Sequence, residues 1–506
     1  MSRVLVVGID SMDSILLSRF EHKLPNLKEL KARTPEIRLR SVYPPDSVTA
    51  WASIYTGLNP AKHGMVYFTD PLDKVNATTM VEIDNTILKG NTFWDLASQV
   101  DKRVCVLFPH IGYPPWPVNG VMFARTNERD GKKYPVQAYP PYLTRDYELF
   151  HLNTAKTVPA RRLLGKYIEA CRSLIRGEVE FSLKMLAQEK WDLFFTYSST
   201  LDWIQHNLWM FFDKTDPTYP GANPYQDIVE EFYILYDEFV GKLVTAAGSE
   251  TTILVFSDHG HGMRPTTLVN VNQILRDKGL LVSKIKRASA KNPYFVIDKL
   301  KDNAASFINK HTEMFGMAMK LMRVMPAAKR LYTSPLSIDW DKTVAYVSDL
   351  SGIKAYTYGG LMIKRGNISN TAYEGIRSQL IEELSHIKEP DSSERLMKWI
   401  CRREELYSGE YIFKYPDIVF EFRDGYGTGW SVYDSLLTPC RTHNIQPGSH
   451  KADSPVFLLA NSNRMPLKKN INLMDIAPTI LDILGVEGDF GFDGRSIFEY
   501  QEAEVE

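Results

Sequence analysis

Several acidic and histidine side chains in this sequence follow short apolar runs and could bind metal ions. Asp10 follows the first run, and the pair Asp258 and His259 follows a later one. Asp202 and His206 are four residues apart, so on a helix they share one face. Taken alone, each feature also has a purely structural interpretation: a helix cap for Asp10, a surface hydrogen bond for the i, i+4 pair and a tight turn for Asp258 and His259.

Together with His450, which follows Gly448 and Ser449, these residues make a mixed set of carboxylate and imidazole ligands. Such a set suits Zn²⁺ or Mn²⁺ better than Ca²⁺, which takes oxygen ligands. Two divalent ions carry +4 and three carboxylates carry −3, so the site keeps a surplus of +1. A pair of ions about 3.5–4 Å apart suits in-line displacement at phosphorus, because it holds both the attacking and the leaving oxygen.

A candidate nucleophile lies between a Pro-Pro pair and a predicted helix. The prolines cannot continue a helix, whereas residues 49–55 have a helical pattern that Gly57 ends. Ser47 or Thr49 is therefore expected at a helix N-terminus, where backbone amides and the helix dipole stabilise an oxyanion. The alternative is an ordinary helix-capping hydroxyl.

These residues need a scaffold that brings distant parts of the chain together. Five short apolar runs, bounded by polar or turn residues, predict buried strands at 4–7, 104–108, 193–197, 252–256 and 456–460. Helical patterns such as 92–100 and 225–247 lie between several of them, so the order predicts an α/β fold with helices on both faces of a sheet. Ligands bind at the carboxyl ends of parallel strands, where the acidic and histidine residues above would meet.

Composition excludes several classes of protein. The chain has 506 residues, 60 Lys and Arg against 61 Asp and Glu, and 44% hydrophobic residues, so it is neither disordered nor basic enough to predict nucleic-acid binding. Its four cysteines are scattered, which argues against a zinc-thiolate site or a disulfide scaffold. No signal peptide begins the sequence, and no window is apolar enough for a membrane span, so we expect a cytoplasmic protein.

One large core with insertions fits the chain better than a row of separate domains, because no repeat or low-complexity linker interrupts it. A Tyr- and Pro-rich insertion spans about 127–164. Residues 284–330 begin with a basic run and are rich in methionine, which is typical of a cap that packs its Met face on the core. The alternative for 284–330 is a basic amphipathic surface for a membrane or an acidic partner.

The order of the motifs resembles the alkaline phosphatase superfamily, particularly its type I phosphodiesterase/nucleotide pyrophosphatase branch. The resemblance spans nearly the whole chain but is concentrated in six short matching segments. They are Gly8-Ile9-Asp10; Pro44-Pro45, Ser47, Ala50-Trp51, Thr56-Gly57, Asn59-Pro60 and His63-Gly64; Asp202-x-x-x-His206; Ser257-Asp258-His259-Gly260; Gly448-Ser449-His450; and Met474 to Leu481 with Asp493-Gly494-Arg495. Each segment alone is weak evidence, and it is their order along the chain that indicates the family.

The resemblance implies an alkaline-phosphatase-like fold, in which helices sandwich a central sheet and inserted segments form a cap. We therefore expect a catalytic core at 1–265 and 412–506, with the small insertion at about 127–164, and a substrate-selecting cap at 266–411. The implied function is hydrolysis of phosphodiester or pyrophosphate bonds in a small-molecule phosphate ester, with two divalent metal ions, Zn²⁺ by preference or Mn²⁺.

The resemblance also implies roles for single residues. The ligand sets would be Asp10, Ser47, Asp258 and His259 for one ion, and Asp202, His206 and His450 for the other. Alignment on Thr56-Gly57 puts Ser47 where the branch has its nucleophilic Thr, so Ser47 is preferred to Thr49 as the nucleophile. The implied mechanism is attack by the Ser47 alkoxide, a covalent phospho-enzyme and its hydrolysis by water.

Departures from the family pattern bear on the substrate. Animal nucleotide pyrophosphatases have an Asn five residues after the His of their His-Gly pair; this sequence has Phe68 there, an apolar side chain expected beside the phosphoryl group. Sulfatase relatives need Pro and Arg two and four residues after the nucleophile, where this sequence has Thr49 and Trp51. A sulfatase is therefore disfavoured. The sequence offers no recognisable equivalent of the phosphate-binding Arg of true alkaline phosphatases.

Two other functions stay open at this point. One is a phosphomonoesterase or a phosphoglycerate-mutase-like phosphotransferase, since those relatives use Ser. The other is a non-catalytic binding protein, which is disfavoured because every expected site position holds a suitable residue type. The +1 surplus favours diesters, because a dianionic monoester needs more positive charge, which Arg264, Lys451 or the 284–330 insertion would have to supply.

Overall fold

The computed structural model describes residues 3–66, 85–125, 136–146, 159–284, 300, 338–348, 355–366, 368–433 and 435–499. The predicted substrate contact Phe68, nearly all of the methionine-rich stretch 284–330 and much of the 127–164 insertion lie outside these residues.

The described strands form five sheets. In chain order they are β1 (Arg3–Ile9), β2 (Arg38–Arg40), β3 (Val104–Leu107), β4 (Gly120–Ala124), β5 (Gln137–Tyr139), β6 (Leu193–Ser198), β7 (Thr251–Phe256), β8 (Gly260–Met263), β9 (Thr267–Asn270), β10 (Ala345–Ser348), β11 (Tyr358–Ile363), β12 (Met397–Arg402), β13 (Ile418–Phe422), β14 (Tyr426–Gly429), β15 (Leu437–Pro439), β16 (Gly448–Lys451), β17 (Phe457–Ala460) and β18 (Asn470–Asn472).

The described α-helices alternate irregularly with these strands along the chain. They are α1 (Ser14–Phe20), α2 (Pro25–Arg33), α3 (Ser47–Thr56), α4 (Pro60–His63), α5 (Phe93–Gln99), α6 (Leu143–Asp146), α7 (Leu164–Leu186), α8 (Thr200–Phe212), α9 (Ile228–Ala247), α10 (Val271–Asp277), α11 (Asn370–Ser385), α12 (Arg403–Leu406) and α13 (Ile476–Leu484). The predicted helices at 92–100 and 225–247 correspond to α5 and α9.

The central sheet has seven strands in the order β17-β7-β1-β6-β3-β4-β5. The five strands from β7 to β4 are parallel, and β17 and β5 pair antiparallel at the two edges. All five apolar runs that predicted strands lie in this sheet, so the predicted α/β fold with a helix-flanked central sheet is confirmed. A parallel sheet must be covered on both faces, which explains why these strands are continuous apolar runs.

Two hydrophobic cores cover the two faces of the central sheet. Alternate residues of β1 divide between them: Leu5 and Val7 pack with the helices α7 to α9, whereas Val4 and Val6 pack with α3, α5 and α13. This alternation follows from the two-residue period of a strand. Helix α3, which begins at Ser47, is therefore held against one face of the sheet.

A second sheet has the order β10-β11-β13-β12 and is antiparallel throughout. Its core includes residues of α11 and of β9. The division of the chain into a core and a 266–411 cap stays a prediction. Across the described residues, no helix has both the length and the apolar surface to cross a bilayer.

His63 fixes the helix that carries Ser47 to the short helix after it. Its Nδ1 accepts a hydrogen bond from the Met65 amide (3.1 Å), and its Nε2 donates to Ser53 Oγ (2.9 Å). Burial, with a smaller effect of the Lys414 ammonium, lowers the pKa of His63 from 6.5 to about 3. The imidazole is therefore neutral in the folded protein at neutral pH.

Lowering the pH is expected to destabilise the fold through His63. In the unfolded chain its pKa is about 6.5, so unfolding takes up a proton, and stability falls as the pH drops from about 6.5 towards 3. Between pH 7.5 and 5.5 this loss is about 1.4 kcal/mol. In urea unfolding, the decrease in the free energy of unfolding between the two pH values should be about 1.4 kcal/mol smaller in His63→Gln than in the wild type. Equal losses in the two proteins would contradict this role of His63.

Candidate metal and nucleophile site

Two neighbouring parallel strands bring the first group of candidate ligands together. Asp10 follows β1, whereas Asp258 and His259 follow β7, and the two strands pair up to Gly8 and Phe256. His259 Nε2 lies 3.5 Å from Asp10 Oδ1 and 3.3 Å from Asp258 Oδ2. All three side chains are buried. These residues therefore lie together at the carboxyl ends of the two strands, where the sequence predicts them.

One oxygen of each carboxylate in this group is held by protein donors. Asp10 Oδ2 accepts hydrogen bonds from the Tyr197 hydroxyl (2.6 Å) and Trp51 Nε1 (3.3 Å), and Asp258 Oδ1 accepts one from the Ser11 amide (3.2 Å). The other oxygen of each carboxylate, Oδ1 of Asp10 and Oδ2 of Asp258, is buried and has no hydrogen-bond partner among the described residues. These two oxygens face His259.

The second group consists of Asp202, His206 and His450. Asp202 and His206 lie on α8, one turn apart as the sequence predicts, and His450 lies on β16. His206 Nε2 is 3.3 Å from Asp202 Oδ1, and His450 Nε2 is 3.4 Å from the same oxygen. Asp202 Oδ1 is buried and, within the described part of the chain, accepts no hydrogen bond. The ligand atoms of Asp202, His259 and His450 lie within 4.8 Å of one another, so the two groups adjoin.

The orientation of the three imidazoles is set by backbone carbonyls. Nδ1 of His206 faces Gly448 O at 3.0 Å, that of His259 faces Gly260 O at 3.0 Å, and that of His450 faces Pro45 O at 2.7 Å. Because a carbonyl only accepts, each Nδ1 must carry the proton, so each Nε2 presents a lone pair in the neutral ring. This arrangement is typical of metal-binding histidines.

The charges and lone pairs at the site favour the binding of a cation. Burial, followed by the charges of Asp258 and Asp202, raises the pKa of Asp10 well above its usual range, and burial likewise raises the pKa of Asp258. Nε2 of His206 and Nε2 of His450 are 2.8 Å apart, a distance at which two lone pairs repel. The site residues therefore fit divalent metal ions, which would neutralise the carboxylates and take up the Nε2 lone pairs.

Ser47 lies at the first turn of α3, beside this cluster. Its Oγ is 3.2 Å from His259 Nε2, and the side chain is partly exposed. The helix cap is Asp46, whose carboxylate accepts from the Val48 amide, so Ser47 is not needed as a capping hydroxyl. The predicted helix at 49–55 begins two residues earlier, at Ser47, and ends at Gly57 as expected, with Gly57 at a φ of +66°.

Thr49, the other candidate nucleophile, has a different environment. Its side chain is fully buried, and its hydroxyl has no hydrogen-bond partner in the described parts of the chain. A hydroxyl with no solvent exposure cannot reach a substrate without a rearrangement of α3. The geometry therefore favours Ser47 over Thr49.

Ser11 and His261 also belong to the site, although the sequence predicts neither of them as a site residue. Ser11 Oγ is 2.6 Å from His261 Nδ1, the Ser11 amide donates to Asp258, and the Ser11 carbonyl accepts from Gln205 Nε2 at 2.9 Å. His261 Nδ1 is also 3.7 Å from Asp202 Oδ1. Ser11 has a φ of +67°, a conformation that only the backbone structure reveals. In the sequence, the one available signal was the second histidine of His259-Gly260-His261.

Two cationic side chains that the sequence offers as extra phosphate contacts make other contacts. Arg264 is fully buried, and its guanidinium donates to the carbonyl of Gly448 at 2.7 Å and lies over the Tyr356 ring. Lys451 pairs with Asp424 at 2.8 Å. These contacts direct Arg264 towards the backbone that orients His206, and Lys451 towards a surface carboxylate.

The sequence matches the type I phosphodiesterase / nucleotide pyrophosphatase family over residues 4–427, and the chain belongs to that family. The resemblance to this branch is thereby confirmed, and with it the prediction that the protein is an enzyme of the phosphodiesterase and pyrophosphatase type. No curated protein matches the sequence.

Among solved structures, phosphonoacetate hydrolase from Sinorhizobium meliloti 1021, in complex with phosphonoformate or with phosphonoacetate, has a TM-score of 0.52 at 15% identity, with 96% of each chain covered. Murine ectonucleotide pyrophosphatase / phosphodiesterase 5 also covers 96% of each chain, at 11% identity and a TM-score of 0.48. The likeness to the hydrolase shows a shared fold.

The site predicts that divalent metal ions stabilise the folded protein. Adding Zn²⁺ or Mn²⁺ to metal-depleted protein should raise its thermal midpoint, because an ion at 100 times its Kd adds about 2.7 kcal/mol. His206→Ala should lose a large part of this gain, whereas His22→Ala, which changes an exposed histidine outside the site, should keep it. The gain should shrink below about pH 6.5, where free imidazoles protonate. A His206→Ala protein that responded like the wild type would contradict the assignment.

Proposed function

We propose that the chain is a hydrolase of phosphodiester or pyrophosphate bonds that uses Ser47 as its nucleophile and two divalent metal ions as cofactors. The observation that carries the proposal is that three buried carboxylate oxygens, which have no hydrogen-bond partner among the described residues, and three imidazole Nε2 atoms converge beside the Ser47 hydroxyl. Membership of the family supports it. The substrate is a small-molecule phosphate ester.

The proposed ligand sets follow the two groups of side chains. Asp10, Asp258, His259 and Ser47 would hold one ion, and Asp202, His206 and His450 would hold the other. When bound, two such ions supply Lewis acidity that favours an ionised hydroxyl and offsets charge on the phosphoryl oxygens and the leaving group. The nitrogen and oxygen donors suit Zn²⁺, and Mn²⁺ is the alternative.

In the proposed reaction, this chain's residues position and activate Ser47. The Ser47 hydroxyl loses its proton to solvent and its Oγ attacks phosphorus; the Ser47 Oγ–P bond forms as the bond to the leaving oxygen breaks, and that oxygen takes up a proton from water. Water then hydrolyses the phospho-enzyme and restores the Ser47 hydroxyl. The N-terminal amides of α3 point towards the developing negative charge, because Ser47 occupies the first turn of that helix. Tyr197 and Trp51 keep Asp10 oriented by holding its Oδ2.

The charge balance favours diesters over monoesters. With two ions and three carboxylates the site carries a surplus of +1 before Ser47 ionises, so a singly charged diester leaves less uncompensated negative charge there than a dianionic monoester. A dianionic monoester needs further positive charge, and both Arg264 and Lys451 are engaged in other contacts. The phosphomonoesterase and phosphotransferase alternatives lack a specific supporting contact in the described residues.

Ser47→Ala is expected to lower turnover by at least about a thousandfold, because it removes the attacking oxygen. Metal content and thermal midpoint should stay close to those of the wild type. Thr49→Val is the matched control: it removes a buried hydroxyl from the same helix at nearly constant shape and should keep activity. An inactive Thr49→Val protein beside an active Ser47→Ala protein would show that the nucleophile is misassigned.

The substrate class is tested with two chromogenic esters on one preparation. We expect kcat/KM for bis(4-nitrophenyl) phosphate to exceed that for 4-nitrophenyl phosphate, because of the +1 surplus. A monoester preferred by more than about tenfold, which is about 1.4 kcal/mol of transition-state stabilisation, would favour the phosphatase alternative instead.

A further inference from the structure

Tyr43 is held by side chains from a distant part of the chain. Its hydroxyl donates to Glu421 Oε2 at 2.8 Å, its amide donates to the Tyr407 hydroxyl at 2.8 Å, and its carbonyl accepts from the Tyr415 hydroxyl at 2.8 Å. The Tyr43 and Trp399 rings pack in a T-shaped arrangement, with 4.7 Å between the ring centroids. The side chain and both backbone groups of one residue are thus fixed from outside its own segment.

Glu421 is the centre of this contact. It lies on β13 in the second sheet and is 6% exposed. The oxygen that accepts from Tyr43 also accepts from Trp399 Nε1 at 2.7 Å, and the other oxygen faces Lys398 Nζ at 3.3 Å. A buried carboxylate with three donors has little freedom to move, because each lost hydrogen bond would leave charge unsatisfied.

The segment that Tyr43 begins leads directly to the proposed nucleophile. Two residues after Tyr43, the Pro45 carbonyl accepts from His450 Nδ1 at 2.7 Å, and Asp46 then caps the helix that starts at Ser47. The second sheet therefore holds one end of this segment and a proposed metal ligand holds the other. The segment that leads to Ser47 is thus fixed at both ends.

We propose that Tyr43 and Glu421 are positioning residues, which transmit the position of the second sheet to the Ser47 hydroxyl and set its alignment for attack on phosphorus. The proposal rests on the proposed function, since it takes Ser47 as the nucleophile. It assigns the two residues a part in the first chemical step and none in metal binding or substrate contact. Misplacement of an attacking atom by a fraction of an ångström to 1 Å lowers a rate by about tenfold to a hundredfold.

The test compares two Tyr→Phe variants of the full-length metal-loaded protein. Tyr43→Phe removes the hydroxyl at Glu421, and Tyr373→Phe removes a similarly buried hydroxyl that donates to Asp417 at 2.6 Å, within the core of the same second sheet. The measurement is the first-turnover burst of 4-nitrophenolate from bis(4-nitrophenyl) phosphate, together with KM and metal content. We expect a burst about tenfold slower in Tyr43→Phe, within twofold of wild type in Tyr373→Phe, and KM and metal content unchanged in both.

Glu421→Gln and the double variant complete the design. If Tyr43 and Glu421 act as one unit, the double variant should be no slower than the slower single variant. Equal bursts in Tyr43→Phe and Tyr373→Phe, or effects of Tyr43→Phe and Glu421→Gln that multiply, would overturn the inference. Should Tyr43→Phe fail to fold, Glu421→Gln against Tyr373→Phe gives the same comparison. A wild-type protein with no turnover of the diester would instead count against the proposed function.

Discussion

The burial of three carboxylates in one small volume is the constraint on which the site depends. Burial is the main cause of the raised pKa values of Asp10 and Asp258, and the charges of the neighbouring carboxylates, Asp202 among them, add to it. Protein donors hold one oxygen of Asp10 and one of Asp258, and leave the others facing imidazole nitrogens. Bound metal ions would neutralise these carboxylates, and this explains why they can be buried together. A buried charge without a partner would destabilise the fold.

Packing and hydrogen bonds around the three carboxylates hold the proposed metal ligands in fixed orientations. Gly8 illustrates the point: a Cβ there would come within 2.6 Å of the Trp51 ring, the same indole that donates to Asp10. Trp51 belongs to the helix that starts at Ser47, so the packing of one indole ties the proposed nucleophile's helix to a proposed metal ligand. Backbone carbonyls perform the same function for the three histidines, since each fixes which nitrogen faces the centre.

Much of the fold could be predicted from the sequence because its signals are local. The five buried strands are continuous apolar runs. The helix before Gly57 begins only two residues earlier than the sequence predicts. The likeness of motif order to a known family then suggested which distant residues meet. Contacts such as Ser11 with His261, or Tyr43 with Glu421, could not be predicted in this way, because each joins residues more than two hundred positions apart with no pattern around either partner.

We propose that two metal ions lie between these particular side chains, with Ser47 at one of them. Anomalous diffraction from crystals of the zinc-loaded protein, measured at the zinc absorption edge, tests it most directly. We expect two peaks, one about 2.0–2.2 Å from ligand atoms of Asp10, Asp258 and His259 with Ser47 Oγ beside it, and one at the same distance from Asp202, His206 and His450. A single peak, or peaks bound by other residues, would contradict it.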